Sequence, residues 1–172
     1  EGSSLGKLDY SGKDARTNFE GLLEAERARS LEASKEMKGR IGSLINGSEA
    51  NNLWMGTFHS VFSKILRFEA EKINYPKNFT IYDSADSKNL IKALVKEMNL
   101  DKDVYKPGVV LGRISSLKNG LVSVNGYKSS AVLQSEDSSR KMTEFSQMYA
   151  NYQKRLFSSG SMDFDDLLFN TY

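Results

Sequence analysis

Only two prolines, Pro76 and Pro107, interrupt 172 residues. Proline removes a backbone donor and clashes with the preceding helical turn, so its scarcity leaves long stretches open to helix. Those stretches are rich in Ala, Leu, Lys and Glu, which are good helix formers. Their apolar residues recur at steps of three and four, the spacing that lines one helical face. The sequence therefore predicts a mainly α, multi-helix domain with one or two short strands.

From Asp14 to Ile45 the pattern Phe19, Leu22, Leu23, Met37, Ile41, Leu44, Ile45 predicts one long helix or two end to end, stopped by Asn46-Gly47. Glu24 to Glu32 is almost wholly polar, which allows a break or an exposed span. Tyr75-Pro76 terminates a later helix. Phe79-Thr80-Ile81-Tyr82 reads as a short strand, and Asp83 or Ser84 then caps a helix with Leu90, Ile91, Leu94, Val95 and Met98 on one face. Pro107 suits a helix first turn, and Val110, Ile114 and Leu117 continue that helix to Asn119-Gly120. Residues 121–139, rich in Ser, Gly and Asn, read as a loop with one turn of helix at most. Met142, Phe145, Tyr149, Tyr152 and Leu156 mark a further helix, ended by Gly160.

Leu53-Trp54-Met55-Gly56-Thr57-Phe58-His59-Ser60 holds the only Trp and the only His. Leu53–Phe58 reads as a buried strand, and Ser60 as the N-cap of a helix carrying Phe62, Ile65, Leu66 and Ile73. A strand that runs into a helix start leaves unpaired N–H groups and the positive end of a dipole on one side. Thr57, His59 and Ser60 add short donors there, so an anion site is expected, with phosphate as the anion. Phe58 is expected in the core. Lys64 and Arg67, three apart on that helix, are candidate cations for the same anion. The plainer alternative is an ordinary Ser cap and an ordinary His.

Composition bounds the rest. The length suits one domain, or one with an appendage. A net charge of +2 is too small to argue nucleic-acid binding by itself, so any such binding must rest on local charge. With no cysteine there is no disulfide frame and no thiolate metal site, which fits a cytoplasmic setting. No apolar run is long enough to span a bilayer, and no partner membrane is expected. Gly6-Lys7 and Gly12-Lys13 lack the spacing of a P-loop, so residues 1–13 are expected to be a flexible segment without a nucleotide site. The trio Asp163, Asp165, Asp166 could suggest a divalent metal. Capping explains it better: Asp163 as N-cap, Asp166 at the third helical position, and Met162 with Leu167 as a hydrophobic staple. The chain ends inside that helix, as a truncated piece would.

Thr57-Phe58-His59-Ser60, the following Phe62-Ser63-Lys64-Ile65-Leu66-Arg67, and Met162-Asp163-Phe164-Asp165-Asp166-Leu167-Leu168 together resemble the UvrD/Rep/PcrA group of superfamily 1 DNA helicases. Phe79-Thr80-Ile81-Tyr82-Asp83, Arg113-Ile114-Ser115 and Lys118-Asn119 extend the resemblance, which covers roughly residues 33–172. The resemblance implies part of a RecA-like motor domain plus its helical insertion subdomain. Residues 33–68 would be a motor-domain remnant, 69–159 the insertion, and 160–172 a return helix, with 1–32 an atypical N-terminal segment. It implies contacts from Thr57, His59 and Ser60 to the phosphates of single-stranded DNA. With the insertion near a duplex junction, Lys106, Arg113 and Lys118 become candidates to face forked DNA.

The departures matter as much. Where the family carries Thr-Phe-Thr-Asn-Lys, this chain has Ala28-Arg29-Ser30-Leu31-Glu32, without the base-contacting Phe. ATP hydrolysis needs a phosphate cradle, Mg²⁺ ligands and an arginine from a second motor domain. None is recognisable, so ATP and Mg²⁺ are expected of a longer parent and no ATPase is expected of this chain. Two other functions compete. One is a helical interaction module without a nucleic-acid role, self-associating through the Asp14–Ile45 helix; separately, an N-terminal helix without its motor-domain partner could pack on a neighbouring chain as a swapped homodimer. The other is a metal-dependent nuclease using Asp163, Asp165 and Asp166, which lacks a nearby further ligand.

Overall fold

The structure, a computed structural model, describes residues 32–33, 35–43 and 57–172. It divides into two units, Glu1–Thr57 and Phe58–Tyr172. In the first, residues 32–33 and 35–43 are helical, with Glu36 and Arg40 paired at 3.1 Å. The rest of the expected Asp14–Ile45 helix, its proposed role in a dimer, and Leu53–Gly56 lie outside the described residues.

The second unit is mainly α. Its elements in order are α1 (Phe58–Glu69), a 3₁₀ turn (Ala70–Ile73), β1 (Thr80–Tyr82), α2 (Ser84–Glu97), α3 (Pro107–Asn119), α4 (Val124–Ser129), α5 (Ala131–Ser139), α6 (Phe145–Ser158), β2 (Ser161–Asp163) and α7 (Phe164–Phe169). β1 and β2 pair in parallel, with Thr80 opposite Ser161 and Tyr82 opposite Asp163. Parallel strands need a crossover connection, and here the whole of α2–α6 lies within it.

Two hydrophobic clusters result. The larger one joins Ile91, Leu94 and Val95 of α2, Val110, Ile114 and Leu117 of α3, Tyr127 of α4, and Phe145, Met148, Tyr149, Tyr152 and Leu156 of α6. The smaller one joins Leu66 of α1, Phe79, Met162 and Leu167 of α7. Among the described residues no helix is long and apolar enough to cross a membrane.

Local signals explain most boundaries. Asp83 caps α2: its carboxylate accepts from the N–H groups of Ala85 and Asp86 at 2.7 and 2.8 Å, and Asp86 closes a capping box. Pro107 opens α3. Gly160 lies at φ +59, where an added Cβ would stand 3.0 Å from Cγ of Pro76. Only glycine meets both demands without strain.

Three expectations are corrected. Residues 121–139 hold two helices rather than a loop. Ser123 caps α4 by accepting from Gly126 N–H at 3.0 Å, and Ser130 caps α5. α3 itself ends at Asn119-Gly120 as expected, and the left-handed residue there is Leu121 (φ 55). Met142 is buried but precedes α6 instead of lying on it. Phe58 opens α1 and is 77 % exposed, so it is neither a strand end nor core.

Candidate nucleic-acid interface

Because α1 starts at Phe58, Ser60 lies inside its first turn and is not its N-cap. The helix therefore begins three residues earlier than expected, with Phe58, His59 and Ser60 in its first turn. Thr57 directly precedes the helix and is exposed. At about 100° per residue, His59, Ser60, Ser63, Lys64 and Arg67 share an arc of roughly 140° on α1. Ser60, Lys64 and Arg67 are exposed, and His59 is half-buried. Leu66, next to His59 on the helical wheel, is buried against α7.

His59 sits at the edge of this polar face. Its ring meets that of Phe164 edge-on, with centroids 5.4 Å apart and planes at 75°. Phe164 opens α7 and is itself half-exposed. Farther along, Arg67 is tethered: its guanidinium donates to the carbonyl of Lys77 at 3.0 Å and lies 4.5 Å from the centre of the Phe79 ring. That tether fixes the direction of the charge and leaves its outer edge to solvent. Lys64 forms no ion pair among the described residues. The face thus combines a tethered cation, an exposed cation, a hydroxyl, an imidazole and a helix start. Together they can hold an extended anion by hydrogen bonds and charge.

Lys118 is elsewhere. Expected to face DNA, it is buried. Its ammonium pairs at 2.7 Å with both Asp163 and Asp166, and it lies 5.4 Å from the centre of the Tyr152 ring. A buried ammonium needs such partners, since desolvation without them costs several kcal/mol. It cannot also serve as a phosphate contact.

Its two carboxylates form the capping box of α7, as the sequence predicts. Asp163 accepts from Asp166 N–H at 2.8 Å, and Asp166 accepts in return from Asp163 N–H at 3.2 Å. Tyr152 Oη donates to Asp163 at 2.9 Å and Gln153 Nε2 to Asp166 at 3.1 Å. Burial pushes the Asp166 carboxyl above its ordinary value, and Lys118 opposes that rise. Asp165 accepts from Asn119 Nδ2 at 3.3 Å. The acidic trio is thus committed to neighbouring donors.

Arg113 is also occupied. It pairs with Glu136 at 3.1 Å and with the fully buried Asp137 at 3.0 Å. Burial works against its charge, and the Asp137 and Glu136 carboxylates more than offset that, holding the guanidinium above its ordinary value.

Lys106, the third candidate, is exposed as expected, and so are three cations that the sequence pattern did not single out. Lys92, Lys96 and Lys102 line a hollow of about 340 Å³ beside Pro107. The four-residue spacing of Lys92 and Lys96 is the signal that could have found them.

A family model for the UvrD/REP helicase N-terminal domain matches residues 30–172. The ATP-dependent DNA helicase PcrA of Staphylococcus epidermidis is 40 % identical over 144 residues, covering 81 % of this chain and 18 % of that protein. PcrA of Bacillus subtilis is 38 % identical over 146 residues, with the same two coverages. PcrA of Staphylococcus aureus is 38 % identical over 139 residues, again with 81 % and 18 % covered. The chain therefore spans less than a fifth of the length of these relatives.

Proposed function

The chain belongs to the UvrD/REP helicase N-terminal domain family, and from that membership we propose that it contacts single-stranded DNA as part of an ATP-dependent DNA helicase. The contacts run through Thr57, His59, Ser60, Lys64 and Arg67 to the phosphate backbone. The observation that carries this reading is the gathering of the last four on one face of α1, beside the helix start. Binding of this kind is electrostatic and indifferent to sequence.

In the same reading, residues 33–68 and 160–172 belong to the motor domain and 69–159 to its insertion. The cytoplasm is the compartment. Forked DNA reaches the insertion through Lys92, Lys96, Lys102 and Lys106 rather than through Lys118. ATP and Mg²⁺ serve the longer helicase. The acidic first turn of α7 does not fit a Mg²⁺ site, because Lys118 pairs with two of its carboxylates and Asn119 binds the third. DNA contact by this chain requires neither ATP nor Mg²⁺, and no ATP turnover is expected of it alone.

Fluorescence anisotropy with labelled single-stranded and forked oligonucleotides, over a salt series, tests the proposal. Affinity should fall linearly in log–log coordinates, by about 0.7 per single-strand phosphate neutralised. Lys96→Glu should weaken forked DNA more than single-stranded DNA. Absence of binding at low salt would overturn the proposal and favour a helical self-association module.

A further inference from the structure

The C-terminal end of α3 grips the first turn of α7 with two consecutive side chains that point to different acids. Lys118 pairs with Asp163 and Asp166 at 2.7 Å each, inside the molecule. Asn119 donates to Asp165 at 3.3 Å, on the outside. All three acids belong to the N-cap and first turn of α7. The leading residue of that turn, Phe164, is the one whose ring abuts His59. α3 carries Val110, Ile114 and Leu117 in the larger cluster, while α7 and α1 share the smaller one. The grip is thus a polar junction between the helical part and the helix pair that includes α1.

We propose that Lys118 and Asn119 are positioning residues that couple the helical part α2–α6 to the DNA-contacting face of α1, by setting the first turn of α7 and so the Phe164 ring against His59. The inference rests on the DNA reading above for its consequence, whereas its geometry is that of the α3–α7 junction itself. Capping and crosslinking are separable within the cluster. The capping box of α7 needs only Asp163 and Asp166, so Lys118 is not required to start the helix. What Lys118 adds is a link to α3, whose partners lie 45 and 48 positions away in sequence. Removing one partner of such a buried pair leaves the other charge uncompensated, so the link is costly to break from one side.

His59 is the only histidine, so its ring protons give a single pair of imidazole resonances that need no assignment. Those resonances report the Phe164 ring directly, because an aromatic neighbour shifts them according to its distance and tilt.

The test compares the full chain with Lys118→Met/Asp166→Asn, in which the side-chain carbonyl at 166 still accepts from Asp163 N–H and keeps the capping box. That change deletes one positive and one negative charge, so the net charge of the cluster is kept. The double variant should fold, with displaced His59 resonances and single-stranded DNA affinity lowered roughly fivefold. Glu97→Gln, which removes an exposed ion pair with Arg155, should move neither readout. A folded double variant with His59 resonances superimposable on the parent's would overturn the proposal. If the double variant does not fold, Asn119→Ala decides: it trims only the outer half of the grip, and an unmoved His59 signal there is equally fatal. If the unaltered chain binds no DNA, the DNA reading fails, while the resonance comparison still decides the role of Lys118 and Asn119.

Discussion

Asp137→Ala should be among the most damaging substitutions in the helical part. The Asp137 carboxylate is fully buried and holds two donors from two other helices: Arg113 Nε of α3 at 3.1 Å and Tyr127 Oη of α4 at 2.8 Å. Removing it leaves a guanidinium whose side chain is 14 % exposed, and a buried phenol with no acceptor. Breaking a buried ion pair from one side costs about 3–5 kcal/mol. An orphaned buried hydroxyl costs about 1–3 kcal/mol. The two losses share one carboxylate and do not add, and Glu136 retains part of the Arg113 charge, so about 4 kcal/mol is expected. For a folding unit of this size the entropy of unfolding converts that to a fall in Tm of roughly 15 °C.

The assay is thermal and urea unfolding followed by circular dichroism. Tyr127→Phe alone should cost about 1 kcal/mol, and much less when Asp137 is already absent. Arg155→Ala is the control. It breaks a pair with Glu97 that is half exposed at both ends, and it should cost under about 1 kcal/mol. A loss at Asp137 no larger than that control, or full additivity with Tyr127→Phe, would refute the claim that this carboxylate ties the three helices together.

Two backbone changes should have opposite signs. Gly160→Ala should destabilise by about 1–3 kcal/mol, since it combines a left-handed φ with a 3.0 Å approach to Pro76. Leu121→Gly should stabilise by roughly 0.5–1 kcal/mol, because Leu121 occupies a left-handed position and is 47 % exposed; denaturant midpoints read both. Alkaline unfolding should be steep. Burial, aided by neighbouring carboxylates, raises the phenols of Tyr127, Tyr149 and Tyr152 above their ordinary value near 10. The native state then keeps protons that the unfolded state loses, so their stabilisation is complete below about pH 10 and falls above it. Three such groups give a slope of about 4 kcal/mol per pH unit, visible as tyrosinate absorbance appearing together with unfolding.

Much of the fold was legible where local chemistry and periodicity agree. Asp83 with the Leu90–Met98 stripe defined α2, Pro107 with Val110, Ile114 and Leu117 defined α3, and Asp163 with Asp166 announced α7. Residues 121–139 misled because serine is both a loop former and an N-cap. Ser123 and Ser130 use the second role, and Tyr127 and Asp137 anchor the helices by tertiary contacts that no local window contains. Parallel pairing of β1 with β2 was hidden for the same reason, with some eighty residues between partners. Lys118 misled because a lysine is by default a surface residue. Its four-residue distance from Ile114 and its place beside Leu117 put it at the border of the buried stripe of α3, a hint that charge alone obscured. The face of α1 was partly legible: the spacing of His59, Ser60, Lys64 and Arg67 puts them on one side of a helix, but Ser60 is not the cap and Arg67 is already tethered to Lys77.

The most direct test of the account follows the imidazole resonances of His59 in the unaltered chain during titration with a short single-stranded oligonucleotide at low salt. With the phosphate backbone on α1, those resonances should be displaced progressively and saturably, and added salt should reverse the displacement. Saturable DNA binding that leaves the His59 signals in place would contradict that placement, because the backbone would then run along some surface other than the polar face of α1.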